Sequence, residues 1–540
     1  MRRFYSRKLI LTLVTLFALG VRGVCFFFFL KSPFRHFHQV PGLDMETLLR
    51  FSEWGTGQEF PPLFVVHRLL IFSVWFLNGQ VHCVPVLILL QCLSGAAGAL
   101  LTADLCLMLW GKRKTALAAG IFYGLYGPLL LYDLCVLQES ITTTLILLAL
   151  WSYVRCRIRH FPSKLTFLSG ILLGLSSIGR PVAALLAVTL PVKTFFSGCF
   201  VSGKGKWFHA PAHGRFSGKA ALLLAAGVLT LWLTAALFNG CFAGNFSPFF
   251  NAVTYTVAFH TEKAAASSEA GPPQSGGIRR MICGLPRRAA EFFLIHEKPE
   301  NINYYFLRNR IFPLKYLPGP ALLLPVALAG IFLMLLRIKY KEGLLLLVMV
   351  LLALPLAARD PIGRYRLHLI PCFVLSAACF FTVLQKNTKR TNWLCAGALA
   401  LALAVNFNFS APAFTRVSDH VAWGRAIEIR NNGRPAGESL KEFHTAWMKS
   451  GCSDRAAAVN LISSALRSGH LKLAAQTCQE GIRGPAQEKS IYHYYTAVIW
   501  TAVRNFPEAE KALAQVRESE IPLLKKKIQI LRQVLERKSL

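Results

Sequence analysis

Apolar runs of roughly 17 to 25 residues recur over the first three quarters of the chain, and runs of that length cross about 30 Å of hydrocarbon as helices. Most of them end in clusters of lysine and arginine. If those clusters are cytoplasmic landings, the topology follows from the charges alone. The first run, about 9–30, follows the basic Met1–Lys8, carries Arg22 within it, and leads out to a loop near 31–83. It is too long for the core of an ordinary signal peptide, and no Ala-x-Ala cleavage site follows it, so it reads as a first membrane helix.

The second run, about 84–110, stops at Lys112, Arg113 and Lys114. Runs at about 115–131 and 136–154 form an outward hairpin that returns to Arg155, Arg157, Arg159 and Lys164. The next pair turns at Arg180 and Pro181 and returns toward Lys193, Lys204, Lys206 and Lys219. A run at about 220–240 exits to a long loop near 241–317, and one at about 318–336 lands on Arg337, Lys339 and Lys341. Another hairpin has its tip at Arg359 to Arg366, and a last run at about 392–407 exits. The alternation predicts an all-α polytopic membrane protein of about 11 transmembrane helices, N-terminus inside and C-terminus outside.

Beyond residue 410 the pattern changes. The segment 411–540 is helical, alanine-rich and mixed in charge. His470-Leu-Lys-Leu-Ala474 aligns with Asn505-Phe-Pro-Glu-Ala509 at an offset of 35 residues, each after an amphipathic helix (about 454–467 and 488–503). Helix pairs at a period near 34 resemble tetratricopeptide repeats. The expectation is a membrane domain over 1–410 and an α-helical repeat domain over 411–540 on the outer side, offering a surface to a protein partner.

Composition agrees with a membrane protein: 54% of the 540 residues are hydrophobic and 16% charged, against about 25% charged in soluble proteins. The formal net charge of +34 fits basic cytoplasmic loops better than nucleic-acid binding, because no basic patch is interleaved with stacking aromatics. The 14 cysteines are scattered without zinc spacing, most of them, such as Cys92, Cys106 and Cys372, within apolar runs as small hydrophobes.

Two outer features carry candidate chemistry. Asp44 lies shortly past the first helix, before Trp54 and an apolar stretch at 63–77, whereas Glu46 and Glu53 read as solvated loop acids. A carboxylate near the membrane surface can take a proton from an acceptor hydroxyl or amine. The other feature is basic: Arg180, Arg359, Arg364 and Arg366 fall on the outer face, against the positive-inside bias. Snorkelling anchors are the ordinary explanation for one such residue. Four at hairpin tips on one face point to a shared anionic ligand, since the guanidinium fork matches phosphate oxygens. Glu139, near the outer end of a span, reads equally as a partner that orients one of these arginines and as a residue resting among headgroups.

On these residues the chain resembles the membrane glycosyltransferases of the GT-C fold, in the branch of protein O-mannosyltransferases and lipid A aminoarabinose transferases. The resemblance rests on Asp44, Pro61-Pro62-Leu63-Phe64, Gln138-Glu139, and Asp360-Pro-Ile-Gly-Arg364-Tyr-Arg366 before a helix containing Pro371, and covers about 1–410. It implies a GT-C-like fold and transfer of a sugar from a polyprenyl-phosphate donor to a lipid, glycan or protein acceptor on the periplasmic face of a bacterial inner membrane. It also implies that Asp44 is the catalytic residue. The aminoarabinose branch carries a Glu-Lys-Pro-Pro segment with a metal-associated Glu and a phosphate-binding Lys. Here the segment is Glu59-Phe60-Pro61-Pro62, so the Glu is kept and the Lys lost. Phosphate binding then falls to Arg364 and Arg366, with Arg180, while Glu59 and Glu139 are supporting residues or ligands of a divalent metal ion. Protein mannosyltransferases usually carry Asp-Glu in this loop, where Asp44-Met45 stands here.

Two other readings stay open. An O-antigen-ligase-like or polymerase-like enzyme would use basic and histidine residues of the late outer loop, where His260, Arg279, Arg280 and His296 lie. A lipid or solute transporter would place broken helices and ionisable residues near the midplane. The candidates here lie instead at helix ends on one face.

Overall fold

The computed structural model describes residues 6–46, 49, 65–197, 214–243, 299, 302–336, 340–358, 363–385, 388–407, 415–484, 489–517, 521 and 524–539. Its described elements are all helical, and the chain is an all-α polytopic membrane protein. Each of the eleven apolar segments has a helix. They are α1 (Arg7–Lys31), α2 (Val65–Trp110), α3 (Arg113–Leu125) with α4 (Gly127–Asp133), α5 (Glu139–Ile158), α6 (Ser163–Gly179), α7 (Ala184–Ser197), α8 (Gly214–Ala243), and, after the short α9 (Tyr304–Arg308), α10 (Pro320–Leu336), α11 (Tyr340–Ala358), the one-turn α12 (Gly363–Arg366) with α13 (Ile370–Leu384), and α14 (Lys389–Phe407).

Among the described residues, six helices are long and apolar enough to cross a membrane, or seven if α3 and α4, bent by 52° at Tyr126, make one span. Ser163–Gly179, Ala184–Phe196 and Thr391–Ala404 are apolar but shorter. One expectation is corrected: the apolar stretch at 63–77, read as part of the first outer loop, runs from Val65 as helix directly into the second span.

The segments differ in how far they are enclosed. The span Arg364–Leu384 is 89% buried and forms the centre, whereas Arg7–Lys31 is 28% and Gly218–Leu237 is 33% buried, leaving broad apolar faces for lipid. α10 lies against α13 at Gly330, where a Cβ would run into the Ser376 carbonyl, so only glycine allows this approach of two backbones.

Charge separates the two ends of the bundle. At one end, Arg7 makes a two-point ion pair with Asp104 (2.8 and 2.7 Å), which also accepts from Trp151 Nε1, and Lys341 Nζ donates to the Leu109 carbonyl. At the opposite end are the start of α5, the end of α6 and the start of α13.

The chain divides into two units, residues 1–28 with 47–412 and residues 29–46 with 413–540. In the second, α15 (Val417–Arg430), α16 (Gly437–Lys449), α17 (Arg455–Arg467), α18 (Leu471–Arg483), α19 (Ser490–Ala502) and α20 (Phe506–Ala514) pack each on the next, followed by α21 (Lys525–Ser539). The turns after α15 and α17 pass through left-handed residues, Gly433 and Gly469, and the equivalent turn after α19 uses Arg504 at φ 61°. Phe443, Trp447, Leu461, Ile462, Ala474, Tyr492 and Ala509 fill the core.

Residues 29–46, read from sequence as the start of a membrane-domain loop, belong to this helical unit. The reason is apolar anchorage: Phe34 and Phe37 of a 3-10 helix (Pro33–Gln39) are buried, and Phe37 meets Trp423 edge-on at 5.9 Å. Burial in the same segment lowers the pKa of His36 and pushes that of His38 down to about 4.

Candidate functional site

The site in the first unit is assembled from helix ends. α5 begins at Glu139, α6 stops at Gly179 and is capped by Arg180, and α12 presents Arg364, Tyr365 and Arg366 immediately before α13. Arg180 precedes Pro181, which helps to end α6 because the residue before proline is driven to extended backbone; Arg180 has φ −148° and ψ 107°.

Glu139 is 2% exposed, and its Oε1 lies 3.5 Å from Arg180 Nη2 and 4.0 Å from Arg364 Nε. Both guanidinium groups also cover the Tyr365 ring, at 4.9 Å for Arg180 and 5.1 Å for Arg364, and Arg364 Nη2 donates to the Tyr365 hydroxyl. Arg366, on the same turn, is 2% exposed. Arg180 and Arg364 thus share the Glu139 carboxylate, and Arg366 lies buried on the same turn as Arg364. Guanidinium groups gathered at one end of the helices suit an anion, because their planar fork matches its oxygens.

Sequence reasoning missed two members. His368, in the 3-10 turn after α12, is buried, and its Nδ1 lies 2.9 Å from Thr143 Oγ1, one turn into α5. A histidine before an apolar helix carries no local signal of this pairing, since its partner is 225 residues away. Among the described residues, Gln138 Oε1, Glu139 Oε2 and His368 Nε2 are buried without a hydrogen-bond partner. Buried polar atoms left open in this way are uncommon, and a bound polar ligand is one arrangement that satisfies them.

The sequence candidates therefore separate. Arg180, Arg364, Arg366 and Glu139 gather at one end of the membrane unit. Asp44, half-buried in a short helical turn beside the buried Met45, belongs to the second unit. Glu59, Arg359 and Asp360 lie outside the described residues, as do His260, Arg279, Arg280 and His296. Among the described residues no group of three or more His, Cys, Asp or Glu could hold a metal ion, and Glu139 lies beside the cationic Arg180 and Arg364.

No protein-family model matches the chain, and no curated protein matches it. Among solved structures it is similar to the Archaeoglobus fulgidus oligosaccharyltransferase in its apo form, at 14% identity over 82% of this chain and 60% of that one, with a TM-score of 0.41. It is also similar to the archaeal oligosaccharyltransferase AglB from the same organism in complex with an inhibitory peptide and a dolichol-phosphate, at 13% identity over 81% of this chain and 59% of that one, with a TM-score of 0.39. The chain spans about 60% of the length of the solved structures it matches.

Proposed function

We propose that the chain transfers a glycosyl group from a polyprenyl-phosphate-linked sugar to an acceptor at the outer, periplasmic face of a bacterial inner membrane. The observation that carries this reading is the meeting of Arg180 and Arg364 at the Glu139 carboxylate, with Arg366 buried on the same turn as Arg364, at the end of the spans away from Arg7 and Lys341. By the positive-inside bias the loops near Arg155 to Lys164 are cytoplasmic, which assigns the cluster to the outer side. For an anion that meets arginines at the ends of membrane spans, this reading takes a lipid phosphate.

In the reaction the acceptor oxygen or nitrogen attacks the anomeric carbon, and the bond from that carbon to the phosphate oxygen breaks. The electron pair goes to the phosphate, where the arginines stabilise the charge that develops. The acceptor's proton passes to a carboxylate, a role this reading assigns to Asp44. Losing one such arginine contact lowers the rate roughly 10²–10³-fold, by analogy with oxyanion donors. The helical repeat-like unit serves as a platform for a protein partner or a protein acceptor. A divalent metal, if used, draws on Glu59 with other residues; the cationic neighbours of Glu139 suit an anion better.

The test is transfer from polyprenyl-phosphate sugars to cell-envelope extract by the purified protein, with Arg364→Ala and Asp44→Asn alongside. Transfer that collapses in folded Arg364→Ala supports the reading. Consumption of polyprenyl-pyrophosphate glycans alone moves the chain to the ligase class, and vectorial movement of lipid without covalent transfer makes it a transporter.

A further inference from the structure

Between α4 and α5 the chain runs through five non-helical residues, 134–138, all of them buried. Irregular backbone among membrane spans must find its hydrogen bonds within the protein. Gln91 of α2 supplies two, donating from Nε2 to the carbonyls of Cys135 (2.9 Å) and Leu137 (2.8 Å). Ser140, in the first turn of α5, donates to the Gln91 carbonyl at 3.4 Å and to Asp133 Oδ1. The other oxygen of Asp133 accepts from Arg22 Nε of α1 at 2.9 Å, and Arg22 Nη1 donates to the Gly124 carbonyl at 3.2 Å.

Arg22 and Asp133 are each 1% exposed. Gly95 of α2 leaves them room: a Cβ there would collide with Asp133 Oδ2 and lie 2.6 Å from Arg22 Nε. A buried ion pair is often no more stabilising than apolar residues of the same volume, so stability alone gives little reason for this one. Its location supplies a reason. The pair closes one end of a buried loop whose other end is Glu139, and Glu139 Oε1 is the atom between Arg180 and Arg364.

We propose that Arg22, Gly95 and Asp133 are positioning residues that fix the first turn of α5 and so set the approach of Glu139 to the arginine pair. The functional consequence rests on reading that cluster as a polyprenyl-phosphate subsite. Through this tether three helices, α1, α2 and α4, govern how much of the arginines' charge is offered to the phosphate.

The experiment uses the full-length protein in nanodiscs, with undecaprenyl phosphate as the probe. Glu139→Gln removes one negative charge from beside the arginines and tightens binding by about ten-fold or more, because that charge repels the phosphate. Gly95→Ala keeps every charge but forces the ion pair apart, and Asp133→Asn weakens it; each tightens binding in the same direction. Combined with Glu139→Gln, neither adds anything, because both act through Glu139. Wild-type affinity in the two folded single variants overturns the inference, and so do effects that multiply with that of Glu139→Gln. Hydrogen exchange over residues 134–142 separates this inference from the functional reading. If wild type binds no undecaprenyl phosphate, the lipid-phosphate reading fails. The tether is then decided by exchange that rises in Gly95→Ala and Asp133→Asn but not in Glu139→Gln, and unchanged exchange in all three overturns it.

Discussion

Glu139→Gln separates the two things its carboxylate does. Across 3.5 Å to Arg180, at an effective dielectric of 20, the attraction is about 5 kcal/mol, and breaking a buried pair of this kind costs about 3–5 kcal/mol. The ligand-free protein therefore loses stability. A bound phosphate changes the balance, since the carboxylate competes with it for the same guanidinium groups. At roughly 6 Å from the phosphate, a removed negative charge is worth about 3 kcal/mol in favour of binding. Against this stands the loosening of one arginine, about 0.5–1.5 kcal/mol. The loss is kept small because Tyr365 still lies against both guanidinium groups. Net binding tightens by about 1.5–2.5 kcal/mol, on the order of ten- to seventy-fold. Thermal unfolding in nanodiscs with and without undecaprenyl phosphate measures both effects: a lower ligand-free Tm and a larger ligand-induced rise. In turnover, kcat and KM fall together, because the leaving phosphate is held after transfer. A variant with wild-type Tm and an unaltered ligand shift refutes the reasoning.

Arg364→Ala and Arg180→Ala each weaken undecaprenyl phosphate binding by ten-fold or more, whereas Arg364→Lys recovers only part of the loss because an ammonium lacks the planar fork; lipid titration checks both. Asp44→Asn lowers the rate of transfer without changing lipid affinity, and a parallel loss of both removes the proton-accepting role from Asp44. His38, its pKa depressed to about 4 by burial, makes the helical unit sensitive to acid. The unfolded chain takes up the proton near pH 6.5 and the folded one does not, so stability is full above that pH and declines down to about pH 4, by no more than about 3 kcal/mol; Tm against pH in wild type and His38→Gln measures it. Gly330→Leu forces α10 away from the Ser376 carbonyl and lowers Tm more than Gly397→Leu on α14, where an added Cβ meets nothing.

The spans were legible because membrane helices announce themselves locally, through uninterrupted apolar runs and basic landings. Span number was less so: the apolar stretches Ser163–Gly179 and Thr391–Ala404 are shorter than the other spans, and a run of apolar letters does not say where helical geometry stops. The second unit's helices were readable from the Ala474 and Ala509 offset. Its membership was not, because Phe34 and Phe37 look like ordinary loop aromatics until Trp423, nearly 400 positions later, folds against one of them.

The same distinction explains the site. Arg180 and Arg364 stood out in the sequence because arginine at the outer end of a span violates a local rule. Asp133 broke no rule: between runs at 115–131 and 136–154 an acid reads as the solvated tip of a hairpin. Arg22 registered only as an interruption of the first helix. Each is explained by the other, 111 residues away, and the space they occupy is explained by the missing side chain of Gly95. Chemistry that faces a ligand leaves a trace in composition because it uses residues the bilayer disfavours. Chemistry that only holds another residue in place leaves its trace in pairing, and pairing appears only when the chain is folded. Asp133 and Gly95 carry the same information about the site as Glu139 does, displaced by one ion pair and one loop.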